Sequence, residues 1–382
     1  MPKLIQTSLL IAAFFAIVPS PSFAQNTAAE ASFDALVKEL DVVGLAVVAV
    51  RKNQIVYAHN FGAQNREQNI PLNDQSIFRI ASISKSFSAV TIMQLMEQKK
   101  LSLDDDFSKL VGFQVRNPRY PDKVITLRMV MSHTSSINDS QGYSKLDFIN
   151  PAKNPDWAKC YSDYGPGEGY LYCNLNYNMV GTVIERITGE RFDMRIRNHI
   201  LKPLGLYGGY CVDSLDARRF TMLYEYDSAT ATYKPSPDAY APRREQLAQY
   251  QMGYSTPVFS PTGGMKIGAQ DLCKYMMMHM NDGVYKGTRI MSRKSAQLMR
   301  KQIANEEGYG LAIRESSDLI PGEVMKGHTG SAYGLYSAMF FEPKKKFGFV
   351  VITNGCKPQS EIDIRDVLRK SIAILYDNFV KQ

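Results

Sequence analysis

Two pairs of β-rich runs, one near each end of the chain, constrain its fold more than any other feature. Val43 to Val50 and Ile55 to Phe61 flank Lys52-Asn53-Gln54, which reads as a strand, a tight turn and a second strand. Leu335 to Phe341 and Phe347 to Thr353 repeat the pattern around Pro343 and Lys344-Lys345-Lys346. Each pair has a helical companion. Phe33 to Leu40 reads as a short amphipathic helix capped by Ser32, and Ile362 to Phe379 as a longer helix. The apolar faces of these hairpins must be covered. One antiparallel sheet built from both chain ends, with helices packed on it, satisfies that demand.

The middle of the chain has a different period. Ile83, Phe87, Val90, Met93 and Met96 recur at helical spacing, and Lys99-Lys100 favour a helix C-terminus. Tyr177, Val180, Ile184 and Ile187 do the same before Gly189, and Leu272 to Met280 forms a third stretch with a Met-rich core face. The expected fold class is therefore α/β plus α, with sheet regions at about 30–82 and 300–382 and a mostly helical insertion at about 83–299. Residues 25–382 read as one domain, with a site expected in the cleft between sheet and insertion.

The first residues read as a leader. Lys3 precedes an apolar run from Leu9 to Val18, Pro19 and Pro21 break it, and Ser22-Phe23-Ala24 is a small-x-small cut site. The run is shorter than the roughly 20 residues of a membrane span. A signal peptide over residues 1–24, cut after Ala24, predicts a periplasmic or secreted protein with no stable membrane insertion. The net charge of +8 is scattered. The three consecutive lysines read as a solvated turn, and no nucleic-acid partner is expected. Five cysteines occur. Export makes a bridge among Cys160, Cys173 and Cys211 conceivable, while Cys273 and Cys356 read as buried thiols. No CxxC, HxH or HExxH spacing occurs, so neither metal nor cofactor is expected.

Three short stretches carry chemistry. In Ser82-Ile83-Ser84-Lys85, positions three apart share a helix face. The Lys85 amine can then take the proton that makes the Ser82 hydroxyl a nucleophile, provided burial lowers its pKa. In Tyr172-Cys173-Asn174, a phenol can relay protons and an amide can hold a carbonyl or an amine. Tyr376-Asp377-Asn378 matches the same pattern within the terminal helix and reads as accidental. In His328-Thr329-Gly330, a β-like run leaves room for a ligand along the backbone. His59, His133, His199 and His279 read as structural.

Taken in order, these stretches resemble the serine β-lactamase and penicillin-binding protein superfamily, specifically its class C-like branch, in a His-Thr-Gly variant. Phe78-Arg79-Ile80-Ala81, Met131 to Ser135, Asn174 to Gly181 and Pro261-Thr262-Gly263-Gly264 add to the likeness, which runs from about residue 35 to 378. The resemblance implies a β-lactamase/transpeptidase-like fold and an acyl-Ser82 intermediate, with Lys85 and Tyr172 sharing the proton work. It assigns substrate positioning to Asn174, His328, Thr329 and Gly330. The backbone N–H groups of Ser82 and Ser331 would form an oxyanion hole. The partner is a small-molecule or peptide acyl substrate, and the oligomeric state is open. Many β-lactamases carry Lys where this chain has His328, and imidazole is mostly neutral at pH 7. That departure favours an ester or D-amino-acid peptide over a β-lactam. Acyl transfer to an alcohol or amine, and a penicillin-recognising binder without turnover, are the competing functions.

Overall fold

The computed structural model describes residues 21–357 and 364–381. In chain order the principal elements are helix α1 (Pro21–Glu39), strands β1 (Gly44–Arg51), β2 (Gln54–Asn65) and β3 (Ile70–Pro71), then helices α2 (Lys85–Glu97), α3 (Asn174–Thr188) and α4 (Ala269–Met280). Strands β4 (Arg314–Ser316), β5 (Met325–Ala332), β6 (Leu335–Glu342) and β7 (Phe347–Gly355) and helix α5 (Asp366–Phe379) follow. The seven strands form one antiparallel sheet in the order β4-β5-β6-β7-β1-β2-β3. The chain ends meet at β1 and β7, where Val47 lies opposite Val351.

Period-2 alternation sorts β1 between two cores. Leu45, Val47 and Ala49 join Phe33, Leu36, Leu368, Ile372 and Leu375 beneath α1 and α5. Ala46, Val48 and Val50 join Phe87, Met276 and Val350 on the opposite face, where α4 lies on β1, β6 and β7. Burial on both faces explains why β1 and β7 read as continuous apolar runs rather than alternating ones. Each fully buried Val or Phe contributes about 1.5–3 kcal/mol. The β1–β2 hairpin turns at Lys52 and Asn53, with φ of 50° and 64°. Positive φ at both central residues suits a two-residue turn whose twist matches the strands.

The strands from the chain ends, the α3 stop at left-handed Gly189 and α4 agree with expectation. Other expectations need correction. The first helix spans Pro21–Glu39, and Ser32 lies inside it, its hydroxyl donating to the Ala28 carbonyl rather than capping the start. Residues 1–20 of the leader expected over 1–24 lie outside the described residues, and the expected cut after Ala24 falls in the first turn of α1. The start expected for the last helix, Ile362, also lies outside them. No described helix is long and apolar enough to cross a membrane. The middle is less purely helical than expected. A small sheet pairs Phe78–Arg79 and Gly208–Gly209 with Lys266–Ile267, and two short hairpins stand beside it. Two-residue strands carry no period for a sequence to display.

All five cysteines are free and buried, so the bridge that export would allow among Cys160, Cys173 and Cys211 is not formed. The Cys173 thiol donates to Asp139 and the Cys160 thiol to the Phe148 carbonyl. Alkylation of the denatured protein without reductant should therefore add five groups by intact mass. A gain of three would establish a disulfide and overturn this arrangement.

Candidate active site

The residues before Ser82 form the floor of a cleft. Phe78 and Arg79 pair with Ile267 and Lys266, and the Ile80 N–H donates to the Met265 carbonyl. Ala81 then adopts φ of +46°, a left-handed conformation that L-residues rarely hold. The chain turns sharply there and enters a single 3-10 turn over Ala81–Ser84, ahead of α2. The expected α-helical start is thus tighter than an α-helix. Side chains three apart are eclipsed in such a turn, and Lys85 Nζ lies 3.0 Å from Ser82 Oγ.

Lys85 is fully buried. Its amine also reaches Asn174 Oδ1 at 2.9 Å and the Thr262 carbonyl at 3.0 Å. Burial brings its pKa down to about 7, although the Asp139 carboxylate opposes the shift. The Tyr172 ring stands 4.7 Å from Nζ. Burial also raises the Tyr172 phenol well above its ordinary range, with the Ser82 hydroxyl acting in the opposite direction. At neutral pH the phenol holds its proton while the amine is poised to accept one.

Asn174 is held from three sides. Its Oδ1 accepts from Lys85 and from Thr262 Oγ1, and its Nδ2 donates to Asp139. The Asp139 carboxylate also accepts the backbone N–H groups of Asn174 and Leu175 at 2.8 and 2.9 Å. It thereby caps α3 from a distant loop and fixes the amide's orientation at once. Sequence reasoning missed Asp139, because a carboxylate 35 positions before its partner leaves no local pattern. His133 is structural, as expected, but with a specific task. Its Nδ1 accepts the Cys173 N–H at 3.1 Å, and its ring lies 4.3 Å from that of Tyr172. Burial keeps it neutral, since its pKa falls well below the ordinary histidine value, and the nearby Lys85 charge adds to that effect.

The facing wall is β5. A Cβ on Gly330 would come within 2.4 Å of both the Ile80 carbonyl and Ser337 Oγ. Only glycine lets the sheet approach the Ser82 turn this closely. Strand β4 pairs with residues 325–327 alone, so no described strand covers the outer edge of residues 328–332. His328, Thr329, Gly330 and Ser331 line the cleft, together with Ser82, Tyr172 and Asn174. Its volume is about 1330 Å³, above the 300–1,000 Å³ usual for small-molecule pockets. The His328 ring is itself buried. Nδ1 donates to the Thr329 carbonyl, and a 3.0 Å bond joins Nε2 to the Tyr309 hydroxyl, another residue that sequence reasoning missed. A carbonyl can only accept, so in the neutral ring Nε2 accepts from Tyr309. The ring is thus engaged within the wall while it lines the cleft.

The remaining histidines stand apart: His59 beside Glu30, His199 beside Glu190, and His279 buried near Tyr275. The second Tyr-x-Asn copy lies on α5, where Asn378 bonds the Ile374 carbonyl and Asp377 pairs with Lys381.

A family model described as Beta-lactamase matches residues 29–373. The chain is 28% identical over 342 residues to Penicillin-binding protein 4 of Amycolatopsis lactamdurans, covering 85% of this chain and 84% of that protein. The structure of the octameric penicillin-binding protein homologue from Pyrococcus abyssi superimposes with a TM-score of 0.72 at 25% identity, over 92% of this chain and 76% of that one. EstCE1, a hydrolase with promiscuous acyltransferase activity, gives a TM-score of 0.73 over 93% of this chain and 99% of its own, and its 22% identity extends the likeness to fold alone.

The Asp139 network makes a separate prediction. Asp139→Ala should cost about 1–3 kcal/mol, because buried donors lose their acceptor. It should also slow chemistry at Ser82 more than the stability loss explains. Urea unfolding and the rate of phosphonate labelling measure the two effects. A variant with unchanged labelling would separate Asp139 from the site.

Proposed function

From the premise that this chain belongs to the Beta-lactamase family, we propose that it is an exported serine hydrolase that forms an acyl intermediate on Ser82. The observation that carries the reading is the buried Lys85 amine 3.0 Å from Ser82 Oγ, with its pKa near 7. As Ser82 Oγ attacks an acyl carbonyl, its proton passes to Lys85 Nζ. Tyr172, whose phenol stays protonated, then donates to the leaving group and is replenished from Lys85. The N–H groups of Ser82 and Ser331 receive the oxyanion, a contribution of about 3–4 kcal/mol in comparable sites. Water releases the acid and returns the proton to the same path. Asn174 orients the amine and the substrate, while Thr329 and Gly330 offer backbone to an extended acyl group.

The favoured substrates are an ester or a D-configured peptide. His328 is engaged by Tyr309 and is no permanent cation, so a β-lactam carboxylate gains less at that position than it would from lysine. Transfer to an alcohol or amine is the second reading, supported by the large cleft and by the likeness to a hydrolase with acyltransferase activity. Product partition between water and an added alcohol separates the two.

A fluorophosphonate should add one adduct to the wild type and none to folded Ser82→Ala; an adduct that persists in the variant removes Ser82 from the role. The acylation rate should rise with pH through about 7 and then level off, because the protonated amine cannot accept the serine proton. Lys85→Met should lower the rate by roughly 10²–10⁴ and abolish that dependence. A wild-type rate flat from pH 5.5 to 8.5 would contradict Lys85 as the base.

A further inference from the structure

Ser82 faces the middle of β5, where Gly330 packs on Ile80 and Ala81. His328 lies on one side of that point, and Tyr333, in the turn that follows β5, on the other. The cleft therefore has two ends, and their chemistry differs. At one end Tyr309 and His328 are bonded to each other, with Arg314 beside them on β4. Arg79, Arg243 and Tyr333 line the other.

Neither the Arg79 nor the Arg243 guanidinium makes an ion pair among the described residues, and the neighbouring Asp213 carboxylate pairs with Arg244 instead. Arg79 is buried, and its Nε donates to the Gly263 carbonyl at 2.9 Å. Its other bonds, to the Ala239 carbonyl and Ser260 Oγ, are long at 3.4 and 3.5 Å. A guanidinium has five N–H donors, so part of the fork is left for a ligand. Tyr333 lies over it, 5.1 Å from ring centre to guanidinium carbon. Arg243 has one long bond, to Gln246. Behind them Lys266 is buried with its amine on the Tyr210 carbonyl. The nearby carboxylates do not neutralise the group. Asp213 is taken up by the Arg243 backbone N–H and by Arg244. Glu225 is exposed at the rim and makes no ion pair among the described residues.

Burying a cation without a counter-charge is unfavourable. Burial already holds Arg79 below its ordinary pKa, and burial with the neighbouring arginines holds Lys266 well below. An incoming anion relieves that cost and forms charge-assisted bonds to the open fork. We propose that the Tyr333 end of the cleft is an anion subsite, where Arg79 and Arg243 receive a carboxylate carried on an arm of the acyl substrate. The assignment deepens the hydrolase reading by naming a substrate class, an acyl compound with an acidic arm, and it rests on that reading only for what happens at Ser82.

Calorimetric titration with adipate and with its neutral counterpart adipamide tests the subsite without turnover, in the wild type and in Ser82→Ala. Adipate should bind at one site in both proteins, and adipamide about ten-fold or more weakly, a difference of about 1.4 kcal/mol. Arg243→Glu should weaken adipate about ten-fold or more, whereas Arg197→Glu, the same charge change at an exposed position outside the cleft, should change it less than about two-fold. Equal binding of the diamide, no adipate binding, or equal losses in the two arginine variants would each overturn the subsite. Phosphonate labelling of the same proteins keeps the two readings apart. Adipate binding without a Ser82 adduct sinks the hydrolase reading alone, and an adduct without adipate binding sinks the subsite alone.

Discussion

The buried Lys85 amine ties the site together. It reaches Ser82 from the 3-10 turn, Asn174 from the start of α3, and the Thr262 carbonyl from the loop before α4. Three separate stretches of chain thus converge on one nitrogen. Removing it from water costs stability, and the depressed pKa records that cost. The unfolded chain binds the lysine proton between about pH 7 and the ordinary lysine value, while the folded chain does not. The protein therefore gains stability as pH rises through that window. The same desolvation leaves the amine able to take a proton at neutral pH.

The backbone around this amine is over-determined. Ala81 holds a left-handed conformation because the strand pairs at Phe78–Arg79 and the Ile80 bond to Met265 fix the chain on one side, with α2 on the other. Gly330 lets β5 lie against that turn, and Ser337 donates to the Ile80 carbonyl from the neighbouring strand. Sheet and helical half are thereby locked at the one place where a cleft is needed. Asp139 and His133 do the same for the Tyr172 loop, each by accepting backbone N–H groups. Such strain persists only where surrounding structure holds it in place.

Burial assigns different protonation to the two groups beside Ser82. A buried amine is pushed toward its neutral form and so is a buried phenol, which makes one a base and the other an acid. The cleft is asymmetric along its length in the same physical terms. At one end the His328 ring is held by Tyr309 and the Thr329 carbonyl, whereas at the other Arg79 and Arg243 make no ion pair among the described residues. A substrate lying along β5 meets a different environment on each side of the serine.

The sheet was legible in the amino-acid sequence because its strands carry long apolar or β-branched runs, and the paired termini followed from two hairpins and two helices seeking cover. Ser82, Lys85, Tyr172, Asn174 and the His328 strand were legible as short motifs in order, and the structure brings them to one cleft, with Lys85 buried beneath its surface. The start of α1, the free state of Cys160, Cys173 and Cys211, and the two-residue strands were not, since none depends on a local period. Asp139, Tyr309 and the unneutralised Arg79 became visible only in three dimensions. By itself the sequence determined which residue types could carry the chemistry and which segments form the frame, because spacing and periodicity are local. The tertiary structure alone decided which proton acceptor is poised, which carboxylate positions it and where charge is left unbalanced, because burial and distance belong to the folded chain.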